Sequence, residues 1–164
     1  MDAIIAALTF WQMGFASSED VVAWADTEIL KSDVPTQELI DLSFDGPATC
    51  LKQAEYVFPP RPIRLSYQDE FRLRALFVDL NSEEDTFQFV DWASRHCIGQ
   101  DLSIELVILG YQFDHFIFDC NDRAGAIALA REKIPALESE SATISSSLLG
   151  LVPNLKLNRT KQRS

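Results

Sequence analysis

Apolar residues recur at intervals of three and four along most of the first hundred residues, and short polar breaks separate the runs. This spacing places apolar side chains on one face of a helix. The clearest example is the stripe formed by Leu73, Leu76, Phe77 and Leu80. Together with a final run before a proline, the pattern predicts seven helices, at about 2–15, 17–30, 35–45, 48–56, 66–80, 82–98 and 122–134.

Capping and breaking residues support these boundaries. Serines 17, 66 and 82 precede acidic residues at the expected starts of three helices, where a serine oxygen can accept a hydrogen bond from the first turn. Gly46-Pro47 predicts a break between the third and fourth helices. The prolines at 59, 60 and 62 predict an extended crossing within one domain, because proline lacks an N–H and restricts the residue before it.

The densest apolar run, residues 102–118, fits two structures. As a hairpin it would turn at Gly110-Tyr111, and Ile104, Leu106, Ile108, Phe113, His115 and Ile117 would share one face with a single polar member. As a helix it would be apolar nearly all round and buried, with Gly110 in its interior. We predict a mainly α fold with a two-stranded antiparallel hairpin at 103–118, which makes it α+β. The alternative is an all-α bundle in which 102–118 is a buried helix.

The length and composition indicate one domain. A chain of 164 residues, 47% of them hydrophobic, can bury a sizeable core. We expect residues 1–138 to form a single globular helical domain and 139–164 to be a polar, basic, poorly ordered tail. No segment has the pattern of a transmembrane helix, and no basic region precedes the first apolar residues, so a cytoplasmic location is expected.

The charge is strongly acidic and unevenly distributed. The net charge is −11, and residues 1–150 contain all 25 acidic and 10 of the 14 basic residues. Such a body repels nucleic-acid phosphates and anionic membrane surfaces. Any charged macromolecular partner is therefore expected to be a basic protein, and neither nucleic acid nor membrane is expected as a partner. Ordinary solubility is the competing explanation for the charge.

Two regions concentrate the acidic residues. They are residues 17–50 and 75–94. If these regions share a face, we predict a negative surface that attracts a basic partner and raises its association rate. The residues assigned to this surface are Asp79, Glu83, Glu84, Asp85, Asp91, Glu19, Asp20 and Asp26.

Candidate chemistry is sparse. Cys50, Cys97 and Cys120 are odd in number and widely spaced, which indicates neither a disulfide framework nor a zinc site. Nucleotide-binding and hydrolase motifs are absent from the sequence, and no cofactor, metal or catalytic residue is assigned. If the protein were an enzyme, His115, Asp114 and Cys120 would be the first residues to test, because imidazole and thiol can act as base and nucleophile.

These observations favour a small acidic protein-binding module over an enzyme. Its most concrete form is an immunity-protein or antitoxin-like inhibitor that covers a basic partner. The alternatives are an enzyme of unknown class with a site around His115, Asp114 and Cys120, or a structural or oligomeric subunit. The oligomeric state is left open.

Overall fold

The computed structural model describes residues 3–56 and 65–157. Within these ranges the chain has eight α-helices and no β-strand, so the prediction of a mainly helical protein is confirmed. The helices are α1 (Ala3–Gln12), α2 (Ser18–Lys31), α3 (Gln37–Tyr56), α4 (Tyr67–Phe77), α5 (Glu83–His96), α6 (Glu105–Asp114), α7 (Arg123–Lys133) and α8 (Glu138–Leu149). A π-helical turn (His115–Asp119) follows α6, and a 3-10 helix (Ile134–Leu137) follows α7.

The chain divides into two compact units. Unit 1 comprises residues 1–64 and 147–164, and unit 2 comprises residues 65–146. The predicted proline crossing at residues 59–62 and the last seven residues of the basic tail lie outside the described residues. Helix α8 occupies residues 139–149 of the predicted tail. A single domain at 1–138 and poor order in the tail both stay predictions.

In unit 1, the contact between α2 and α3 is the most extensive between any two helices. Helix α2 begins with a complete capping box, in which Ser17 Oγ accepts from the Asp20 N–H and the Asp20 carboxylate accepts from the Ser17 N–H. The predicted break at Gly46-Pro47 is confirmed. Gly46 has φ 76° and ψ 170°, a conformation available chiefly to glycine, and it divides α3 into two helical segments.

In unit 2, an aromatic cluster connects three helices. Phe71 of α4, Phe89 of α5 and Phe113 of α6 are fully buried. The ring of Phe89 meets that of Phe71 edge-on at a centroid distance of 5.0 Å and that of Phe113 edge-on at 6.5 Å. Edge-to-face contacts of this kind add to the stabilisation that burial of the rings provides. Helix α5 also packs against α7, so it lies at the centre of the unit.

The predicted hairpin at 103–118 is wrong, and the all-α alternative fits. Residues 105–114 form α6, and Gly110 lies inside this helix rather than in a turn. The buried residues Leu106, Val107, Gly110 and Phe113 fall at helical spacing, so the apolar residues that suggested strand alternation also fit a helix. Gly110 is needed there because Tyr67 and Cys97 lie against its Cα.

Ser82 caps α5 by accepting a hydrogen bond from the Asp85 N–H at 3.2 Å. Replacing Ser82 with alanine leaves this N–H without its side-chain acceptor. We expect Ser82→Ala to lower the free energy of unfolding by about 1 kcal/mol, measured by urea denaturation. Ser82→Asn, which keeps an acceptor at the cap, should stay within about 0.5 kcal/mol of the original protein. Equal losses in the two variants would contradict the capping role.

Candidate functional site

The predicted acidic residues of unit 2 lie on α5 or just before it, and several of them have local partners. Glu84 accepts a hydrogen bond from Arg123 Nη2 at 2.7 Å and another from Gln88, and these bonds hold its pKa below the usual value. Asp91 pairs with Arg95 Nε through both carboxylate oxygens, at 3.0 and 2.9 Å. Much of the negative charge at this helix is therefore balanced within the unit.

Two more of these residues, Glu83 and Asp85, belong to the first turn of α5, and Asp79 accepts from the Asn81 N–H at 3.0 Å just before it. The structure thus brings Asp79, Glu83, Glu84 and Asp85 together at one helix start. The helix dipole favours negative charge at this end. The helix dipole accounts for the three acidic residues of the first turn and a turn hydrogen bond accounts for Asp79, and the role of all four in partner binding stays a prediction.

The predicted acidic residues of unit 1 lie on α2 or at its start. Asp20 belongs to the capping box and is 3.8 Å from Lys156 Nζ. Asp26 accepts a hydrogen bond from the Ser43 hydroxyl, which joins α2 to α3. Glu19 is exposed in the first turn of α2.

Three exposed apolar side chains, on α2, on α3 and in the segment between them, were not predicted from the sequence. Leu30, Val34 and Phe44 keep 87%, 84% and 84% of their surface exposed. Leu30 lies one helical turn after Asp26, and Phe44 follows Ser43, which donates a hydrogen bond to Asp26 and so joins α2 to α3 beside these positions. Phe44 could have been noticed in the sequence, because it lies two residues after Leu42, which is buried. Residues two apart on a helix point to nearly opposite sides, so Phe44 is off the buried face of α3.

Acidic residues neighbour two of these apolar side chains along the chain. Asp33 lies next to Val34, Asp45 lies next to Phe44, and Asp41 lies one turn before Asp45 on α3. Burial raises the pKa of the Cys50 thiol, and the negative charges of Asp41 and Asp45 raise it further. We call this set the α2–α3 surface; it comprises Leu30, Val34, Phe44, Asp26, Asp33, Asp41 and Asp45.

The second candidate site lies in unit 2, at the π-helical turn that follows α6. His115 Nδ1 is 2.9 Å from an Asp119 carboxylate oxygen, and His115 Nε2 is 3.4 Å from Cys120 Sγ. The three side chains are exposed and form a chain of thiol, imidazole and carboxylate. Of the three residues named from the sequence, His115 and Cys120 lie in contact, but the carboxylate bonded to the imidazole is that of Asp119 rather than Asp114.

This arrangement is unsuited to holding a metal ion. Asp119 and Cys120 contact opposite nitrogens of the same ring, so the three groups do not converge on one point. In residues 3–56 and 65–157 no group of three histidine, cysteine or acidic side chains could hold a metal ion. The geometry instead matches that of a nucleophile, a base and a group that orients the base.

An apolar groove lies beside the imidazole. It has a volume of about 530 Å³. His115 forms part of its wall, together with Ile108, Tyr111, Gln112, Phe116, Leu129, Glu132 and Lys133. Small-molecule sites commonly have volumes of roughly 300–1,000 Å³ and apolar walls with a few polar groups. The groove therefore has the size and lining of a site for a small apolar group.

No helix among the described residues is long and apolar enough to span a lipid bilayer. Comparison of the chain with known protein families, with curated proteins and with solved structures finds no match.

Proposed function

We propose that this protein is a binding module that docks a basic partner protein through the α2–α3 surface. The observation on which the proposal rests is the exposure of Leu30, Val34 and Phe44 in a part of the chain that also contains Asp33, Asp41 and Asp45. Large apolar side chains surrounded by polar groups are a common feature of protein-binding surfaces. The most concrete form remains an immunity-protein or antitoxin-like inhibitor that covers a basic enzyme surface.

The apolar side chains would supply most of the affinity. Burying a fully exposed leucine, valine or phenylalanine side chain contributes about 1.5–3 kcal/mol, and Phe44 is the aromatic member of the set. Interface energy is concentrated in a few well-buried central residues of this kind. Phe44 is therefore the expected centre of the contact.

The acidic residues would supply selectivity and speed. Asp33, Asp41 and Asp45 have no ion-pair partner among the described residues, in contrast to Glu84 and Asp91 of α5. Unpaired carboxylates at the rim of an interface attract a positively charged partner and raise the association rate. The charge of the chain and the local arrangement of α2 and α3 thus favour the same class of partner.

The proposal is tested first by capture from a lysate of the source cells on the purified chain, with elution by a salt gradient. We expect a basic protein to elute at moderate salt, since screening weakens attraction between exposed charges. Phe44→Ala should weaken its binding at least about tenfold, measured by calorimetry. Phe118→Ala, which removes a ring that is 53% exposed in unit 2, is the matched control and should change little.

Charge variants then identify the acidic surface that attracts the partner. Replacing Asp33, Asp41 and Asp45 with asparagine should lower the association rate at low salt more than neutralising Asp79, Glu83 and Asp85 does. A larger effect at α5 would place the contact on the residues predicted from the sequence. Equal binding by the original chain, Phe44→Ala and both charge variants would refute the docking proposal.

A further inference from the structure

We propose that Cys120 is a nucleophilic thiol, with His115 as its base and Asp119 as the group that positions the base. We infer that it accepts acyl groups from esters or thioesters whose apolar acyl chain binds in the groove beside His115. This inference is independent of the docking proposal, because it concerns unit 2 and a different set of residues.

The hydrogen bonds around His115 provide a path for the thiol proton. Asp119 accepts from the Nδ1–H, which leaves the lone pair of Nε2 facing Cys120 Sγ at 3.4 Å. A thiol is a weak nucleophile until a base removes its proton, and a base held by a third group is the usual arrangement for this step. The side chains of His115, Asp119 and Cys120 supply these three roles.

The backbone holds the thiol in place. The Cys120 N–H donates to the His115 carbonyl at 3.0 Å, and the Asp122 N–H donates to the Phe116 carbonyl at 2.8 Å. Between them Asn121 adopts φ 50°, a conformation that non-glycine residues seldom adopt. π-Helical turns inside helices are frequent at functional sites. Here the turn brings a thiol five residues after His115 within reach of its imidazole.

Accessibility separates Cys120 from the other two cysteines. Cys120 is exposed, whereas Cys50 and Cys97 are buried. Burial also raises the pKa of Cys50, and it raises that of Cys97 to about 11, so these two thiols are protonated near neutral pH. They serve as internal controls for any reagent that attacks thiolates.

The groove indicates the class of acyl group. Ile108, Phe116 and Leu129 give it an apolar wall, and His115 belongs to that wall as well as to the thiol site. An acyl chain in the groove would therefore have its carbonyl near the imidazole. Each methylene that it buries should strengthen binding by about fourfold.

The chemical step transfers the acyl group without oxidation or reduction. His115 Nε2 takes the thiol proton as Cys120 Sγ attacks the carbonyl carbon of the ester or thioester. The tetrahedral adduct collapses with cleavage of the bond between that carbon and the leaving oxygen or sulfur. The leaving group takes the proton from His115, and the acyl group remains on Sγ as a thioester.

The test uses the purified full chain with p-nitrophenyl acetate, butanoate and hexanoate. We expect one equivalent of p-nitrophenol to be released, and peptide mass spectrometry should find the acyl group on Cys120 and not on Cys50 or Cys97. The rate constant should rise with chain length, up to about fourfold per methylene. Ile108→Ser, at a wall residue that is 44% exposed, should reduce this dependence.

His115→Asn should slow acylation of Cys120 by about a hundredfold or more, since general-base catalysis contributes about 10²–10⁴. His96→Asn removes the other imidazole of the chain, which contacts the Trp92 carbonyl, and should leave the rate unchanged. Asp119→Asn should slow the reaction and alter its pH profile, which a purely structural role would not do. An acylation rate of Cys120 unaffected by His115→Asn, or the absence of acyl-Cys120, overturns the proposal.

Discussion

Replacing Phe89 with alanine is expected to lower the free energy of unfolding by about 3–5 kcal/mol. The ring of Phe89 is fully buried and contacts those of Phe71, Trp92 and Phe113, so its removal leaves a cavity where three helices meet. The loss includes both the transfer energy of the ring and the cost of the cavity. Because single domains are stable by only about 5–15 kcal/mol, this loss is a large fraction of the total.

The measurement is a urea titration followed by far-UV circular dichroism, with hydrogen exchange used to locate the effect. Amides of α4, α5 and α6 should lose protection first. Phe118→Ala is the matched control, because its ring is about half exposed, and it should cost much less than the core variant. A loss below about 1.5 kcal/mol in Phe89→Ala would contradict the proposed central role of this ring.

Gly110→Ala is expected to destabilise unit 2 by about 2 kcal/mol, although alanine is the better helix former. A Cβ at this position would lie 2.5 Å from Tyr67 Oη, 2.6 Å from Cys97 Cβ and 3.1 Å from the Ala93 carbonyl oxygen. The Ala93 oxygen belongs to the α5 backbone and Cys97 Cβ is attached to the backbone of the residue that caps the end of α5, so α5 and α6 would have to separate. Overpacking of this kind costs about 1–3 kcal/mol or more, against a gain of about 1 kcal/mol in helix propensity.

Gln112→Ala controls for helix propensity, because it lies on the same helix with its side chain exposed. It should change the unfolding free energy by less than about 0.5 kcal/mol. Adding Tyr67→Phe to Gly110→Ala should recover part of the loss, since it removes the nearest of the three atoms. Unchanged or increased stability in Gly110→Ala would show that the helices tolerate a Cβ at this contact.

Helix positions could be predicted from the sequence because their signals are local. The caps at Ser17, Ser66 and Ser82 and the break at Gly46 depend on residues within one turn of the helix end. The structure of residues 102–118 could not be predicted in this way. A run so rich in apolar residues contains both the alternation of a strand and the spacing of a helix. Tertiary packing, such as the close approach of Tyr67 and Cys97 to Gly110, favours the helix and has no local sequence signal.

The candidate site in unit 2 could be predicted only in part. His115 and Cys120 stood out because imidazole and thiol are rare in this chain. Asp114 was an unsuitable choice of third residue because adjacent helical side chains point about 100° apart, whereas Asp119 is one turn further along. The i to i+5 bonding that brings Cys120 within reach has no sequence signal comparable to a cap or a break.

Two good capping residues, Asn121 and Asp122, stand next to each other at the start of α7. Asp122 is the N-cap and accepts a hydrogen bond from the Gly125 N–H at 2.8 Å. Asn121 instead adopts the left-handed conformation between Cys120 and α7. Both residues are good caps, so the choice between them depends on the path of the chain leaving the π turn.

Because of the π-helical turn, the geometry of the thiol site depends on the number of residues between His115 and Cys120 as well as on which residues they are. It accommodates one residue more per hydrogen-bonded turn than an α-helix does. A chain with one residue fewer between His115 and Cys120 could keep all three chemical groups and still lose their contacts with opposite ring nitrogens. Among homologous chains, insertions and deletions in this segment would therefore distinguish those able to form the thiol–imidazole–carboxylate chain from those that have only its residues.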